Sequence, residues 1–104
     1  MRLINLQNIP NQSFSITLNN VDYRIAVRTI QDLTFISVWK NGEVLFYNQI
    51  CVPNGFVDPY KYISENGKIF FKCLDDEYPN YKSFGVTQWL YYLTAEEVAE
   101  YEKA

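Results

Sequence analysis

Asp75-Asp76-Glu77 is the densest group of side chains in this sequence that could move protons or hold a cation. A calcium loop sets oxygen ligands at alternate positions around a glycine-assisted turn. Three consecutive acids followed by Tyr78-Pro79 lack that spacing, so the run reads as a solvated turn and no metal is expected. Glycoside hydrolysis needs two facing carboxylates, whose separation in sequence is unrestricted. Beyond the presence of acids, nothing points to such a pair. Nucleophilic catalysis needs a base beside the nucleophile. The chain has no histidine, which excludes Ser-His and Cys-His systems, and no motif offers a lysine instead. With no catalytic role filled by a recognisable residue set, neither enzyme activity nor a cofactor is expected.

Cys51 and Cys73 are the two cysteines. Met1-Arg2-Leu3-Ile4-Asn5 does not read as a signal peptide, so two reduced thiols packed as small hydrophobes are expected. No apolar run approaches the roughly 20 residues of a membrane helix. The formal charge is −3, and the nine Lys and Arg residues are dispersed. A nucleic-acid binder would gather its basic residues into a patch or stripe, so neither nucleic acid nor membrane is an expected partner.

The nine tyrosines, seven phenylalanines and two tryptophans carry more information. Tyr60, Tyr62, Tyr78, Tyr81, Phe84, Tyr91 and Tyr92 fall in loops or beside them. Such residues stack on sugars in a carbohydrate- or receptor-binding β-module, anchor a subunit interface, or fold inward and seal the sheet ends. The sequence leaves these three readings open.

The elements that position these residues are hairpins. Asn19-Asn20 separates Phe14–Leu18 from Val21–Ile25, and Asn41-Gly42 separates Thr34–Lys40 from Glu43–Gln49. Both dipeptides tolerate the positive φ of a type I′ turn, which matches strand twist. A two-residue turn at Asn19-Asn20 pairs Leu18 with Val21, Ile16 with Tyr23 and Phe14 with Ile25. Each pair puts apolar groups on one face. In the second hairpin the same rule pairs Lys40 with Glu43, Trp39 with Val44, Val38 with Leu45, Ser37 with Phe46 and Ile36 with Tyr47. Phe35, Trp39, Val44 and Phe46 then share one face, and Ile36, Val38, Leu45 and Tyr47 the other. Both faces are apolar, so both are expected to be covered, and a homo-oligomer is one way to cover the second. Phe35, Trp39 and Phe46 are the candidate subunit face, and Tyr78, Tyr81 and Phe84 a candidate contact loop.

Arg2–Leu6 starts the chain as a short strand. Ile50–Tyr62 is a longer connection carrying Pro53, Gly55 and Pro59. Lys68–Cys73 is a strand entered through Asn66-Gly67, and Val86–Leu93 is the last strand. Thr94 and Glu97 form a capping box ahead of a short helix over 94–103. The expected fold of this single domain, residues 1–104, is all-β. It is a small sandwich or partly open barrel of about seven antiparallel strands, closed by a C-terminal α-helix.

Several segments, taken in order, resemble the baseplate plug proteins of contractile-tailed bacteriophages, the cyanophage-type plug. They are Ile9-Pro10-Asn11-Gln12, the Asn41-Gly42 hairpin, Cys51-Val52-Pro53-Asn54, Phe70-Phe71, Tyr78-Pro79-Asn80-Tyr81, Phe84-Gly85 and Leu90-Tyr91-Tyr92-Leu93. The resemblance runs from about Leu3 to Leu93. The sequence departs from the family pattern at Tyr78, where an acid commonly precedes the proline, and near Gln88, where a basic residue is usual. The helix after Leu93 looks like an addition. The resemblance implies a virion structural component of a phage or prophage tail baseplate, assembled in the bacterial host cytoplasm. It would plug the channel through contacts with hub, tube-end or spike proteins and have no catalytic role.

Overall fold

A computed structural model describes residues 1–58 and 67–103 of the chain, the side chains of the last two excepted. Pro59, Tyr60, Tyr62 and Asn66 therefore lie outside the described residues. The strands are β1 (Arg2–Ile4), β2 (Asn11–Leu18), β3 (Val21–Ile30), β4 (Leu33–Lys40), β5 (Glu43–Ile50), β6 (Gly55–Phe56), β7 (Lys68–Cys73) and β8 (Gln88–Leu93), followed by helix α1 (Ala95–Lys103). They form two antiparallel four-stranded sheets, ordered β1-β8-β7-β6 and β2-β3-β4-β5. This is a β-sandwich, not a closed barrel.

Asn19 and Asn20 take φ of 52° and 63°, and Asn41 and Gly42 take 50° and 85°. All four are the left-handed values that a type I′ turn requires. The first hairpin keeps the expected register, with Leu18 opposite Val21, Ile16 opposite Tyr23 and Phe14 opposite Ile25. Gln31-Asp32, with φ of 51° and 64°, makes a further two-residue turn between β3 and β4. Asp32 is a residue that turns favour, but Gln31 is not, so the dipeptide did not announce the turn as Asn-Asn and Asn-Gly do.

The second hairpin corrects the expected pairing. Lys40 faces Glu43 and Trp39 faces Val44, but Val38 faces Phe46, and Ile36 faces Gln49. Leu45 is the extra residue of a β-bulge, which sets two residues on one strand against one on the other. A second irregularity falls near Asn48, whose φ is 48°. The slip exchanges the faces. Phe46 turns into the core, and Tyr47 turns outward beside Trp39 with ring centroids 6.3 Å apart. The last strand is also shorter than expected: it starts at Gln88, after a turn through Gly85 at φ 78°.

The core lies between the sheets. Tyr23, Ile25, Val27, Ile36, Val38 and Phe46 meet Ile4, Ile69, Phe71, Leu90 and Tyr92. Cys51 and Cys73 are free and buried, and desolvation is the first cause that raises both thiol pKa values. The outer face of the β1-β8-β7-β6 sheet has its own apolar cluster. Phe56, Phe70, Tyr91 and Leu93 pack with Val98 of α1, and the Tyr101 ring meets Phe56 and Phe70 edge-on at 5.3 Å each. A nine-residue helix is marginal alone; this docking and its cap hold it. The Thr94 amide donates to Glu97 Oε1 at 3.0 Å, and the Glu97 amide donates to Thr94 Oγ1 at 3.3 Å.

Asp58 lies where β7 begins, lining a cavity of about 20 Å³ with Tyr23, Lys68 and Tyr92. Its carboxylate accepts the Ile69 amide at 2.8 Å. Burial is the dominant influence, and it raises the Asp58 pKa from 3.8 to about 6. An acid with a raised folded pKa binds its proton more tightly when folded. Its stabilisation is therefore full below pH 3.8 and is lost as pH rises through 6. At about 1.4 kcal/mol per pKa unit the shift amounts to up to ~3 kcal/mol. Glu97 and Asp75 are shifted downward, so their opposing effect falls at lower pH. The expected result is a urea midpoint that rises from pH 7 to pH 4.8. Asp58→Asn, which keeps an acceptor for Ile69, should flatten that rise.

Candidate interaction surface

Trp39 sits in the middle of the outer face of the β2-β3-β4-β5 sheet. The register aligns Ser15, Arg24, Trp39 and Val44 as one row across four strands. The Arg24 guanidinium carbon lies 5.4 Å from the Trp39 ring centroid, a cation–π contact. Arg24 Nε also donates to Ser13 Oγ at 3.2 Å. The next outward row holds Ser13, Ala26 and Ser37, and the one after it Asn11, Arg28, Phe35 and Ile50. A shallow groove of about 480 Å³ runs between Ser13, Arg24, Arg28, Ser37, Trp39 and Tyr47. Trp39 and Phe35 are half-buried, while Tyr47 and Val44 are 58% and 56% exposed. A chain of net charge −3 therefore carries two arginines and an edge-on aromatic pair, its ring planes 83° apart, on one open sheet face.

The second site is the loop from Leu74 to Thr87. Buried Gln88 organises it: its Oε1 accepts the Asn80 amide at 2.8 Å, and its Nε2 donates to the Tyr78 carbonyl at 3.3 Å. Thr34 Oγ1, fully buried, donates to the Pro79 carbonyl at 2.7 Å. Asn8 Nδ2 donates to the carbonyls of Tyr81 and Phe84 at 2.9 and 2.7 Å. Asn80 Nδ2 reaches the Asp32 carbonyl at 3.2 Å. These bonds tie the loop to the β1–β2 connection and the β3–β4 turn, so it is fastened at one end of the sandwich. Tyr78 projects outward at 50% exposure. Tyr81 packs partly on the core, with Lys82 Nζ 5.9 Å from its ring. Phe84 is 2% exposed and tilts against Phe71 at 5.6 Å.

The six sequence candidates thus divide. Phe35, Trp39, Tyr78 and Tyr81 reach the surface, whereas Phe46 and Phe84 are core residues. Phe46 is buried because the bulge reverses it, and Phe84 because a short 3₁₀ turn at Tyr81–Ser83 swings it under the sheet end. Tyr92 is in the core and Tyr91 packs in the cluster under α1. Tyr47, Arg24 and Arg28 are surface residues that the sequence reading missed. For Tyr47 the signal was Asn48, a residue prone to left-handed φ inside a strand.

The acidic run is part of the turn. Asp75 accepts the Glu77 amide and Thr87 Oγ1 at 3.1 and 2.9 Å, which lower its pKa. Asp76 accepts Asn54 Nδ2 at 2.9 Å. Among the described residues, no three His, Cys, Asp or Glu side chains are grouped to hold a metal ion.

The family model described as cyanophage baseplate Pam3 plug gp18 matches residues 1–96. The chain belongs to this baseplate plug family. Among curated proteins no match is found. The plug-family match takes in both sheets and the Leu74–Thr87 loop, and ends two residues into α1. Val98 and Tyr101, which cover the outer face of the β1-β8-β7-β6 sheet, lie beyond it. The other outer face, with Trp39 and Arg24, lies wholly within the plug-family match.

Proposed function

We propose that the protein is a structural component of a phage or prophage tail baseplate, a plug that works through protein–protein contacts and catalyses nothing. The family match over residues 1–96 carries this reading. The molecule supplies a means: the β2-β3-β4-β5 outer face is open and carries Trp39 between Arg24 and Tyr47. Aromatic and arginine side chains at the centre of a patch are the usual anchors of interfaces. Its neighbours in the baseplate would be hub, tube-end or spike proteins, joined during assembly in the host cytoplasm. Two basic side chains and no acid in the central rows favour an acidic partner surface.

The test is incorporation. Tails assembled with Trp39→Asp should carry at least tenfold less of the protein, with its unfolding midpoint near that of the parent. Exposed positions away from both surfaces, such as Glu100→Gln on α1, should incorporate normally. Full incorporation of folded Trp39→Asp would remove this face from the interface. The carbohydrate- or receptor-binding alternative rested on clustered loop aromatics. Of its seven residues, Tyr78 projects from the fastened loop, Tyr81 and Tyr91 are partly buried against apolar clusters, Tyr92 and Phe84 are in the core, and Tyr60 and Tyr62 are not described.

A further inference from the structure

The edges of the two sheets are unequally protected. Natural edge strands carry charges, prolines or bulges, or are very short, which stops them pairing with other chains. β1 has three residues and β6 two. β5 is broken by two register shifts. β2 has none of these features. Its sequence, Asn11-Gln12-Ser13-Phe14-Ser15-Ile16-Thr17-Leu18, contains no charge and no proline, and its eight pairs with β3 run without a shift.

The bonding pattern of that edge follows from the turn. A two-residue hairpin makes Leu18 and Val21 a hydrogen-bonded pair, and alternation then directs Ile16, Phe14 and Gln12 toward β3. Asn11, Ser13, Ser15 and Thr17 consequently point their amides and carbonyls away from the sheet. The structure agrees: Arg2 Nη1 donates to the Thr17 carbonyl at 2.8 Å from outside the sheet. Arg2 covers that end alone. Among the described residues, no group outside the sheet bonds the backbone of Ser13 or Ser15.

We propose that β2 is a self-association site, at which two copies pair β2 against β2 antiparallel. The merged sheet would have eight strands. The register with the two-fold axis at Phe14 sets Ser13 opposite Ser15 of the second copy and Asn11 opposite Thr17, whose carbonyl the Arg2 side chain must release. The strand suits this occupant. On the outer face, serine meets serine and Asn11 meets Thr17, so no like charges are brought together. On the inner face, Phe14 meets its own copy and Gln12 meets Ile16. Phe14 and Ile16 are half-buried at the rim of the core, and the second copy would cover them. Arg28 is in the row of Asn11 and Asp22 in the row of Thr17, so the antiparallel sense sets each copy's Arg28 in one row with the other's Asp22, three strand spacings or about 14 Å away, and aligns no like charges. This contact is distinct from the Trp39 face and does not rest on the baseplate reading.

Sedimentation of the whole isolated chain over a concentration series tests the proposal. The mass should rise from 12.3 kDa toward twice that value, and the Ser13 and Ser15 amides should become protected from hydrogen exchange as it does. Ser15→Pro removes an outward amide that β3 does not use, a position where an edge strand accepts proline. It should remain folded by circular dichroism and be monomeric throughout. Ser13→Lys, a second variant with a charge on the edge, should weaken dimerisation at least tenfold. A parent that stays monomeric at the highest concentration, or a dimer that persists in either folded variant, would overturn the proposal.

Discussion

Phe84→Ala is expected to lower the free energy of unfolding by about 3–5 kcal/mol, the usual cost of truncating a fully packed phenylalanine. Phe84 is 2% exposed, and its ring lies 5.6 Å from that of Phe71, itself fully buried. Removing it opens a cavity at the junction of the sandwich and the Leu74–Thr87 loop. The loop cannot collapse freely into that space, because Gln88, Thr34 and Asn8 hold its backbone. Urea unfolding followed by fluorescence would give the value. A change below about 1 kcal/mol would mean that Phe84 is a surface anchor, as its place in the sequence motif suggested, and not a core residue. Tyr78→Ala in the same loop should change stability by less than about 0.5 kcal/mol, as exposed substitutions do.

Gly67→Ala should be as damaging, for a backbone reason. Gly67 has φ of +114°, a value that L side chains rarely adopt. A Cβ there would lie 2.0 Å from the Leu93 carbonyl oxygen and 2.9 Å from the Tyr92 hydroxyl. Strain of about 1–3 kcal/mol adds to overpacking of about 1–3 kcal/mol, for a total of about 2–6. The position precedes β7, which pairs with β8 from Lys68 opposite Leu93 to Cys73 opposite Gln88. The loss should therefore spread through the sheet that carries α1. Denaturant midpoints measured by near- and far-ultraviolet circular dichroism would show it. A Gly67→Ala variant as stable as the parent would contradict the close approach of β7 to the end of β8.

The parts of the fold that were legible in the sequence are those governed by local chemistry. Asn19-Asn20 and Asn41-Gly42 specify turns whose geometry few residues tolerate, and each turn fixes the first pairs beside it. The register of β2 against β3 follows, because alternation and turn agree along eight residues. The capping box at Thr94 and Glu97 is equally local, and its two reciprocal bonds are present. The register of β5 beyond Val44 was not legible. An extra residue in a bulge leaves the local apolar pattern intact while turning every later side chain over. One slipped residue sent Phe46 inward and Tyr47 outward.

The candidate surface was half legible for the same reason. Trp39 lies before the bulge, so turn counting places it correctly on the outer face. Arg24 lies on the well-registered first hairpin, but its significance appears only when β4 brings Trp39 opposite it. The loop aromatics depended on long-range anchors. Asn8, Thr34 and Gln88 bind the loop from three separate stretches of chain, and no periodicity within residues 74–87 encodes that. The two-residue strand β6 was hidden for want of length, since two positions carry no pattern.

A structural part of a tail baseplate must be present in assembled particles, at the baseplate end. Contractile tails would be purified from a host producing the chain with a small epitope tag, then labelled with antibody and imaged by electron microscopy. The expected result is label on the baseplate end of nearly every tail, with the protein recovered from the particles in a fixed ratio to the tube protein. Particles free of the protein, or label spread along the sheath, would contradict the baseplate assignment.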